Sequence, residues 1–169
     1  MTVLATAEAG EVLDDPKAVK AGYLETLALV ERLHRQLLDV IKDELERRGE
    51  LEVNSVQALM LFNIGDQELT AGELRTRGHY LGSNVSYNLK KLVELGYIHH
   101  ERSDADRRAV CIRLAEKGQR IRVMVAALFD RQLVSLSPVG NLRPEDFTLM
   151  NQSLKRLERF WLDQVRYRL

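Results

Sequence analysis

The sequence lacks the features that mark secreted, membrane-spanning and disulfide-stabilised proteins. Its 169 residues include a single cysteine, so no disulfide can form within one chain. No apolar run approaches the roughly 18 residues that a membrane helix needs. The first 16 residues have neither a basic start nor an apolar core, so they do not resemble a secretory signal. These absences predict a cytoplasmic protein with no membrane partner.

Motifs for catalysis and cofactor binding are also missing. The chain has no phosphate-binding GxxxxGK[ST] loop and no GxGxxG, GxSxG or HExxH motif. Its four histidines are not placed to share a metal ion, since His99 and His100 are adjacent in a predicted strand and point to opposite faces. The other two, His34 and His79, fall in a helix and a turn. The sequence therefore predicts no enzyme, no cofactor and no metal site.

Charge is balanced in total but uneven along the chain. The formal net charge is zero, yet residues 1–52 carry 12 acidic and 7 basic side chains, while residues 75–108 carry 4 acidic and 7 basic ones. A locally positive surface attracts a polyanion, and its phosphate contacts make binding weaken steeply as the salt concentration rises. The basic segment is therefore the candidate surface for nucleic acid.

Residues 83–96 predict a helix with one buried and one polar face. Ser83 can cap the first turn, and Gly96 supplies the left-handed residue on which many helices end. Val85, Leu89 and Leu92 recur at helical spacing and form an apolar stripe. Polar side chains elsewhere on the helix can reach base edges and phosphates, which predicts a DNA-recognition helix. The predicted DNA-contacting residues are Ser83, Asn84, Ser86, Tyr87, Asn88, Lys90 and Lys91.

A hairpin pattern follows the recognition helix. After residue 96 the spacing changes to the alternation of a β-strand, which runs to the polar segment SDADRR. Beyond that segment Val110, Ile112 and Leu114 form the apolar face of a returning strand, so the two strands close a hairpin, which we term the wing. Arginine at a hairpin tip suits the narrow minor groove of A/T-rich DNA. The wing residues predicted to act there are Arg102, Arg107 and Arg108, with Asp104 and Asp106 as carboxylates that orient the guanidinium groups.

The order of these elements resembles the MarR family of winged-helix regulators. The resemblance rests on a helix that ends at a Gly, a hairpin tipped by D-x-D-R-R, and the L-x-x-x-G formed by Leu114 and Gly118. It covers roughly residues 20–169 and is sharpest at Asp106 and Arg108. Ala115 departs from the Thr that the family often has after this Leu, which weakens the cap of the next helix. Length and pattern also resemble the alphaproteobacterial LdtR-type branch.

Helical spacing predicts three helices before the recognition helix. A long amphipathic helix covers about residues 17–48, and a second covers about residues 54–64. A short third helix is predicted in AGELRTRG, after a cap at Thr70. With the recognition helix it would form a helix-turn-helix, in which the short helix crosses the DNA backbone and the recognition helix enters the major groove. The predicted phosphate contacts of the short helix are Arg75 and Arg77.

Two more helices are predicted after the wing, over residues 116–136 and from Pro144 onwards. In the last helix apolar residues step by three and four, which is the pattern of a seam against a partner helix. Such apolar terminal helices favour a twofold homodimer, which the family resemblance also implies, and hence a palindromic operator. The seam residues are Phe147, Met150, Leu154, Leu157 and Trp161.

These patterns predict a mainly α fold with a small β-hairpin wing. Residues 53–114 would form a winged helix-turn-helix DNA-binding domain, and residues 17–52 with 115–169 would form a helical dimerisation layer. Residues 1–16 are expected to be a flexible tail. The predicted function is that of a homodimeric transcriptional repressor that binds double-stranded DNA sequence-specifically.

The sequence leaves several alternatives open for the regulation of the protein and for its function. Cys111 near Arg113 would suit a redox-responsive regulator, although a lone cysteine in a strand is more often a small apolar residue. A winged helix can also serve protein interaction or nonspecific DNA packaging, and the polar face of the recognition helix argues against packaging alone. The family resemblance implies a small aromatic or amphipathic effector in the cleft between the dimer layer and the winged helix. The residues that would line this cleft, or would otherwise be plain core, are Tyr23, Leu27, His34, Met60 and Phe62.

Replacing Arg108 with alanine tests the wing. Operator affinity should fall by roughly 1–3 kcal/mol, because a groove contact is lost, while dimerisation and thermal stability should stay unchanged because the residue lies at a hairpin tip. Fluorescence anisotropy at fixed salt concentration measures the affinity. Equal affinity of the variant and the parent protein would refute the assignment of the wing to DNA.

Overall fold

A computed structural model describes residues 15–66, 69–70, 83–102 and 110–167. Within these ranges the chain forms five α-helices and three β-strands, which confirms the predicted mainly helical fold with a β-hairpin. The helices are α1 (Pro16–Arg48), α2 (Ser55–Ile64), α3 (Ser83–Glu94), α4 (Glu116–Leu136) and α5 (Pro144–Tyr167), and the strands are β1 (Leu69–Thr70), β2 (Ile98–Arg102) and β3 (Val110–Leu114).

Local capping explains the ends of α1 and the start of α2. The Lys17 amide donates a hydrogen bond to Asp15 Oδ1 at 3.0 Å where α1 begins, and α1 ends at Gly49, whose φ of 72° is left-handed. Asn54 and Gln57 form a capping box at α2, in which each backbone amide donates to the other side chain, at 2.9 and 3.1 Å. The predicted bounds of both helices are confirmed to within a residue.

The three strands form an antiparallel sheet in the order β1-β3-β2. Strands β2 and β3 make the predicted hairpin, with Ile98 opposite Leu114. Strand β1 pairs Leu69 with Ile112 and was not predicted, because two residues are too few to show alternation. Thr70 therefore lies in a strand, whereas a helix cap was predicted there. The short helix predicted to follow it lies outside the described residues.

The core lies where α2, α4 and the sheet pack beneath the C-terminal part of α1. The rings of Phe62 and Phe129 meet edge to face with centroids 5.1 Å apart, which joins α2 to α4. Val56 is 37% exposed, although α2 is apolar on all sides and its periodicity does not single out one buried face. The fully buried hydrophobic residues include Ile41, Met60, Leu61, Ile64, Leu69, Leu92, Tyr97, Ile112, Ile121 and Val125.

A buried carboxylate fastens α1 to α4. Glu44 is 1% exposed, and its Oε1 lies 2.7 Å from Arg131 Nη2 and 3.1 Å from Arg48 Nε. Burial alone would raise the pKa of Glu44, but hydrogen bonds from Arg131 and Arg48 and the charges of Arg131 and Arg47 bring that pKa below its ordinary value. The stability that the ionised Glu44 adds is fully present above the ordinary carboxyl pKa, and it is lost as the pH falls through the lowered pKa of Glu44.

The turn after α3 places Tyr97 against the start of α4. Gly96 has a φ of 76°, and the amides of Gly96 and Tyr97 donate to carbonyls in the last turn of α3 at 3.0 and 2.9 Å, as in a Schellman motif. The Tyr97 carbonyl accepts the Ala115 amide at 3.0 Å. Ala115 is the N-cap of α4 and provides no side-chain cap, as predicted. A Cβ at Gly118 would overlap the Tyr97 carbonyl oxygen, which explains the glycine of L-x-x-x-G.

Exposed large apolar side chains are concentrated on α1 and α5. Among the described residues, none of α5 is buried, and burial in α1 begins only at Ile41. Four residues of the predicted seam, Phe147, Met150, Leu154 and Trp161, are 37–44% exposed. In the described parts of the chain, no helix is long and apolar enough to cross a membrane.

Replacing Gly118 with alanine should destabilise the fold by about 1–3 kcal/mol, because the added methyl group meets a backbone carbonyl that cannot move aside cheaply. Gly22 is the matched control, since no described heavy atom lies within 4 Å of a Cβ added there. Gly22→Ala lies inside α1 and should stabilise by up to about 1 kcal/mol. Urea denaturation of both variants measures the difference, and equal stabilities would contradict the proposed steric constraint.

Candidate nucleic-acid interface

Helix α3 presents a polar, partly cationic face to solvent. Ser86, Tyr87, Lys90 and Lys91 are exposed, Tyr87 to 67%, while Leu92 on the opposite face is fully buried. Lys90 Nζ lies 3.9 Å from a carboxylate oxygen of Glu94, a loose ion pair on a solvated helix surface that is easily exchanged for a phosphate. Four of the residues predicted to contact DNA therefore share one accessible face.

Asn88 does not belong to that exposed face. It is half-buried, and its Oδ1 accepts a hydrogen bond from Gln57 Nε2 at 3.2 Å. Asn88 precedes Leu92 by four residues, so helical rotation places it beside the buried stripe and not opposite it. This hydrogen bond ties α3 to α2, and the contact of Asn88 with DNA stays a prediction.

Gln57 is the polar residue that sequence reasoning missed. It is buried, it closes the capping box of α2 through its amide N–H and Oε1, and its side-chain NH₂ donates to Asn88. The Gln57 side chain therefore caps α2 with its oxygen and contacts α3 with its nitrogen, so both polar atoms of this buried amide have a hydrogen-bond partner. The spacing of Asn54 and Gln57 indicates the capping box. Nothing in the sequence indicates the contact of Gln57 with Asn88, which lies 31 positions away.

The remaining predicted DNA contacts are only partly described. Ser83 and Asn84 lie in the first turn of α3 and Arg102 ends β2, but their side chains lie outside the described part of the structure. The pairing of Arg102 with Val110 closes the described part of the hairpin, so the polar tip follows directly from it. The predicted contacts outside the described residues are Arg75, Arg77, Asp106, Arg107 and Arg108, together with Asp104.

A groove between α3 and β2 adds one histidine to the candidate interface. The groove has a volume of about 410 Å³, and its lining includes Ser86, Lys90, Glu94 and His100. His100 is exposed and lies opposite Ile112 in the hairpin register, so β2 carries an imidazole alongside the polar flank of the recognition helix. Strand alternation does not show which helix a strand residue neighbours, so the sequence indicated no role for this histidine.

The five residues predicted to line an effector cleft are spread along the protomer. Met60 is fully buried and belongs to the core, and Phe62 packs on Phe129. Tyr23 lies 18 residues before Ile41, the first buried residue of α1, and so roughly 27 Å away along the helix. Its hydroxyl accepts a hydrogen bond from Trp161 Nε1 at 3.1 Å, and so it faces α5. Leu27 is half-buried and His34 exposed on the intervening turns of α1.

Cys111 lies half-buried in the central strand of the sheet. Its register partners are Thr70 in β1 and Glu101 in β2. Arg113, the cation predicted to act on its thiol, lies 3.5 Å from the carboxylate of Glu101. The redox role of Cys111 stays a prediction.

The predicted seam of α5 lines an apolar groove of about 420 Å³ together with one residue of α1. This groove contains Leu154, Leu157 and Trp161 from the predicted seam and Val30 from α1. Apolar side chains from both helices therefore converge on a surface that the described protomer leaves open. The proximity of Trp161 to Tyr23 shows that α5 returns along the N-terminal part of α1.

Sequence comparison supports a role in transcription. A model described as the MarR family matches residues 51–109 of the chain. The exopolysaccharide II synthesis transcriptional activator ExpG of Rhizobium meliloti strain 1021 is 36% identical over 148 residues, which cover 86% of this chain and 74% of that protein. The LdtR-type assignment stays a prediction.

Solved structures show the same fold at low sequence identity. A mutant of MarR from E. coli complexed with operator DNA has a TM-score of 0.63 and 18% identity, covering 80% of this chain and 95% of that chain. FabT of Streptococcus pneumoniae in complex with DNA has a TM-score of 0.58 and 22% identity, covering 83% of this chain and 98% of that chain. The predicted winged-helix fold is therefore confirmed.

Replacing Lys91 with glutamine should reduce the dependence of DNA binding on salt. One lost phosphate contact lowers the slope of log affinity against log salt concentration by about 1, with little change in sequence preference. Lys155→Gln on α5 is the matched control, because Lys155 is also exposed but lies outside the candidate interface. Titrations at several salt concentrations measure the slope, and equal slopes for both variants would remove Lys91 from the interface.

Proposed function

Because the chain belongs to the MarR family of transcriptional regulators, which are not enzymes, we propose that it binds double-stranded operator DNA as a sequence-specific homodimer. The observation that carries this proposal is the two-sided character of α3: Leu92 is fully buried, while Ser86, Tyr87, Lys90 and Lys91 are exposed. A helix held from behind by the core and polar in front is suited to the major groove.

The wing and the short preceding helix complete the proposed interface. The wing would enter the minor groove with Arg107 and Arg108 at its tip and Arg102 at its base. Asp106 would pair with Arg108 and orient its guanidinium group. Arg75 and Arg77 would contact phosphates and fix the register of the recognition helix. Ser83 and Asn84, in the first turn of α3, would approach the base edges.

Dimerisation is proposed from the exposed apolar surface of α1 and α5. A helical stripe on α5 consists of Phe147, Met150, Leu154, Leu157 and Trp161, of which the last three line a groove with Val30 of α1. Such a contiguous apolar surface usually marks an interface. A twofold dimer would place two recognition helices about 34 Å apart, which suits a palindromic operator. In this division residues 53–114 bind DNA, and residues 17–52 with 115–169 form the dimer.

We further propose repression and control by an effector. A dimer bound over a promoter would block RNA polymerase and so repress transcription. Whether a bound dimer represses or activates depends on where the operator lies. The relative ExpG, in contrast, is a transcriptional activator. The effector would be a small aromatic or amphipathic molecule that prefers one spacing of the two recognition helices. Tyr23, Leu27 and His34 are its candidate contacts, since they lie along the part of α1 that is not buried in the core.

Selection of genomic fragments followed by footprinting tests this function. The protein should recover a duplex with two symmetric half-sites, and the footprint should cover both. Recovery of random DNA without a preferred sequence would favour nonspecific packaging, and recovery of no DNA would favour a protein-interaction role; either outcome overturns the proposal.

A pair of α5 variants links the footprint to the dimer. Leu154→Lys buries a charge in the proposed seam and should yield a monomer by light scattering that no longer protects both half-sites. Gln152→Lys adds the same charge at an exposed position of the same helix and should leave the dimer and the footprint unchanged. A Leu154→Lys protein that remains dimeric would refute the seam.

A further inference from the structure

Three segments distant in sequence meet at Tyr97. This residue follows α3, and its ring is fully buried. Its hydroxyl donates a hydrogen bond to Glu52 Oε2 at 3.0 Å, across 45 positions of sequence. Glu52 belongs to the short connection between α1 and α2. A side chain at the end of the recognition helix is therefore bonded to the segment that leads out of α1.

Lys117, in the first turn of α4, completes this cluster. Its Nζ forms an ion pair with Glu52 and lies 4.4 Å from the centroid of the Tyr97 ring, a cation–π distance. The same ammonium donates to the carbonyl of Leu95 at 3.3 Å. Leu95 lies just past the end of α3, where exposed carbonyls carry partial negative charge, so a lysine there stabilises the helix end. One ammonium group thus contacts the α1–α2 connection, the aromatic ring and the end of α3.

The charges of this cluster support one another. Hydrogen bonds from Lys117 and Tyr97, and then the charge of Lys117, hold the pKa of Glu52 below its ordinary value. The hydrogen bond to Glu52 raises the pKa of Lys117 above its ordinary value. The contribution of Glu52 to folding stability is lost only as the pH falls through its lowered pKa. The contribution of Lys117 is lost only as the pH rises through its raised pKa. Both groups therefore stay charged throughout the neutral range.

Helix α3 is consequently held at two points along its length. Near its middle, Asn88 is bonded to Gln57 of α2 at 3.2 Å. At its C-terminal end, Lys117 and the Ala115 amide contact Leu95 and Tyr97, at 3.3 and 3.0 Å respectively. Leu92 anchors α3 in the core, and the two separated polar attachments add a directional constraint at two points along the helix axis. The second attachment comes entirely from the first residues of α4, the helix that leads to the proposed dimer layer.

We infer that Glu52, Tyr97 and Lys117 form a joint that sets the angle between α3 and α4, and thereby the half-site spacing that the dimer accepts. This inference rests on the proposed function and extends it, because it assigns operator spacing to three positioning residues that are not among the predicted DNA contacts. Since α4 joins the dimer layer to the winged helix, a small rotation at its first turn is amplified into a displacement of the recognition helix along the groove.

Operators with altered spacing test the joint. The duplex recovered by selection is compared with duplexes whose half-sites are one or two base pairs closer or farther apart. Wild-type protein should prefer the selected spacing. In Tyr97→Phe and Glu52→Gln, the ratio of affinities for selected and altered spacing should fall by about tenfold, as for the loss of one hydrogen bond to a charged group. Glu116→Gln is the matched control. Glu116 precedes Lys117, but its side chain is 93% exposed and pairs with Arg120. The ratio of affinities for this variant should therefore stay at the wild-type value.

The readout separates a positioning role from a purely structural one. Variants that lose thermal stability but keep the wild-type spacing ratio would overturn the joint while leaving the proposed function standing. Tyr97→Phe retains the ring and its packing, so it keeps the test informative if Glu52→Gln folds poorly. A wild-type protein with no preference for any duplex would overturn the proposed function first, and the joint with it.

Discussion

The approach of the first turn of α4 to the carbonyl of Tyr97 is the constraint on which the arrangement of this protein depends. The hairpin leaves the body just after Tyr97 and returns just before α4, so the recognition helix, the wing and α4 all diverge from this contact. Gly118 permits it, because any larger residue would meet the carbonyl oxygen. The hydrogen bond from Ala115 then aligns the two chain segments, and Lys117 adds its charge to the end of α3.

Polar side chains, as well as the hydrophobic core, fix how the helices are oriented. Gln57 connects α2 to α3 by a directional hydrogen bond, and Glu44 of α1 connects to α4 through its ion pair with Arg131, while Arg48 holds the same carboxylate from within α1. Apolar packing alone tolerates sliding between helices, whereas buried polar groups must keep their partners or lose their solvation without compensation. The helices that carry the proposed DNA and dimer surfaces are therefore held at defined angles.

The protomer separates two kinds of surface. The winged-helix part has a closed core around Leu61, Leu92 and Ile112, while most of α1 and all of α5 expose their apolar stripes. The proposed association would cover the apolar stripes of the second part. Helix α4 contacts both parts, since its first turn meets Tyr97 and its Arg131 pairs with Glu44 of α1. In the proposed dimer, α4 is therefore the element that links the association of two chains to the recognition helix.

The sequence by itself determined the helices, their ends, the hairpin and the polar face of α3, because capping residues, glycines and periodicity act over a few neighbouring positions. It could not show that Asn88 turns toward Gln57, that Thr70 joins a strand, that Met60 has no exposed surface, or that Glu52 meets Lys117. Those facts depend on residues tens of positions apart being brought together, and local spacing carries no information about which partner a side chain meets. Only the tertiary structure decided them, because packing of the core fixes the distances between segments that the chain itself leaves free.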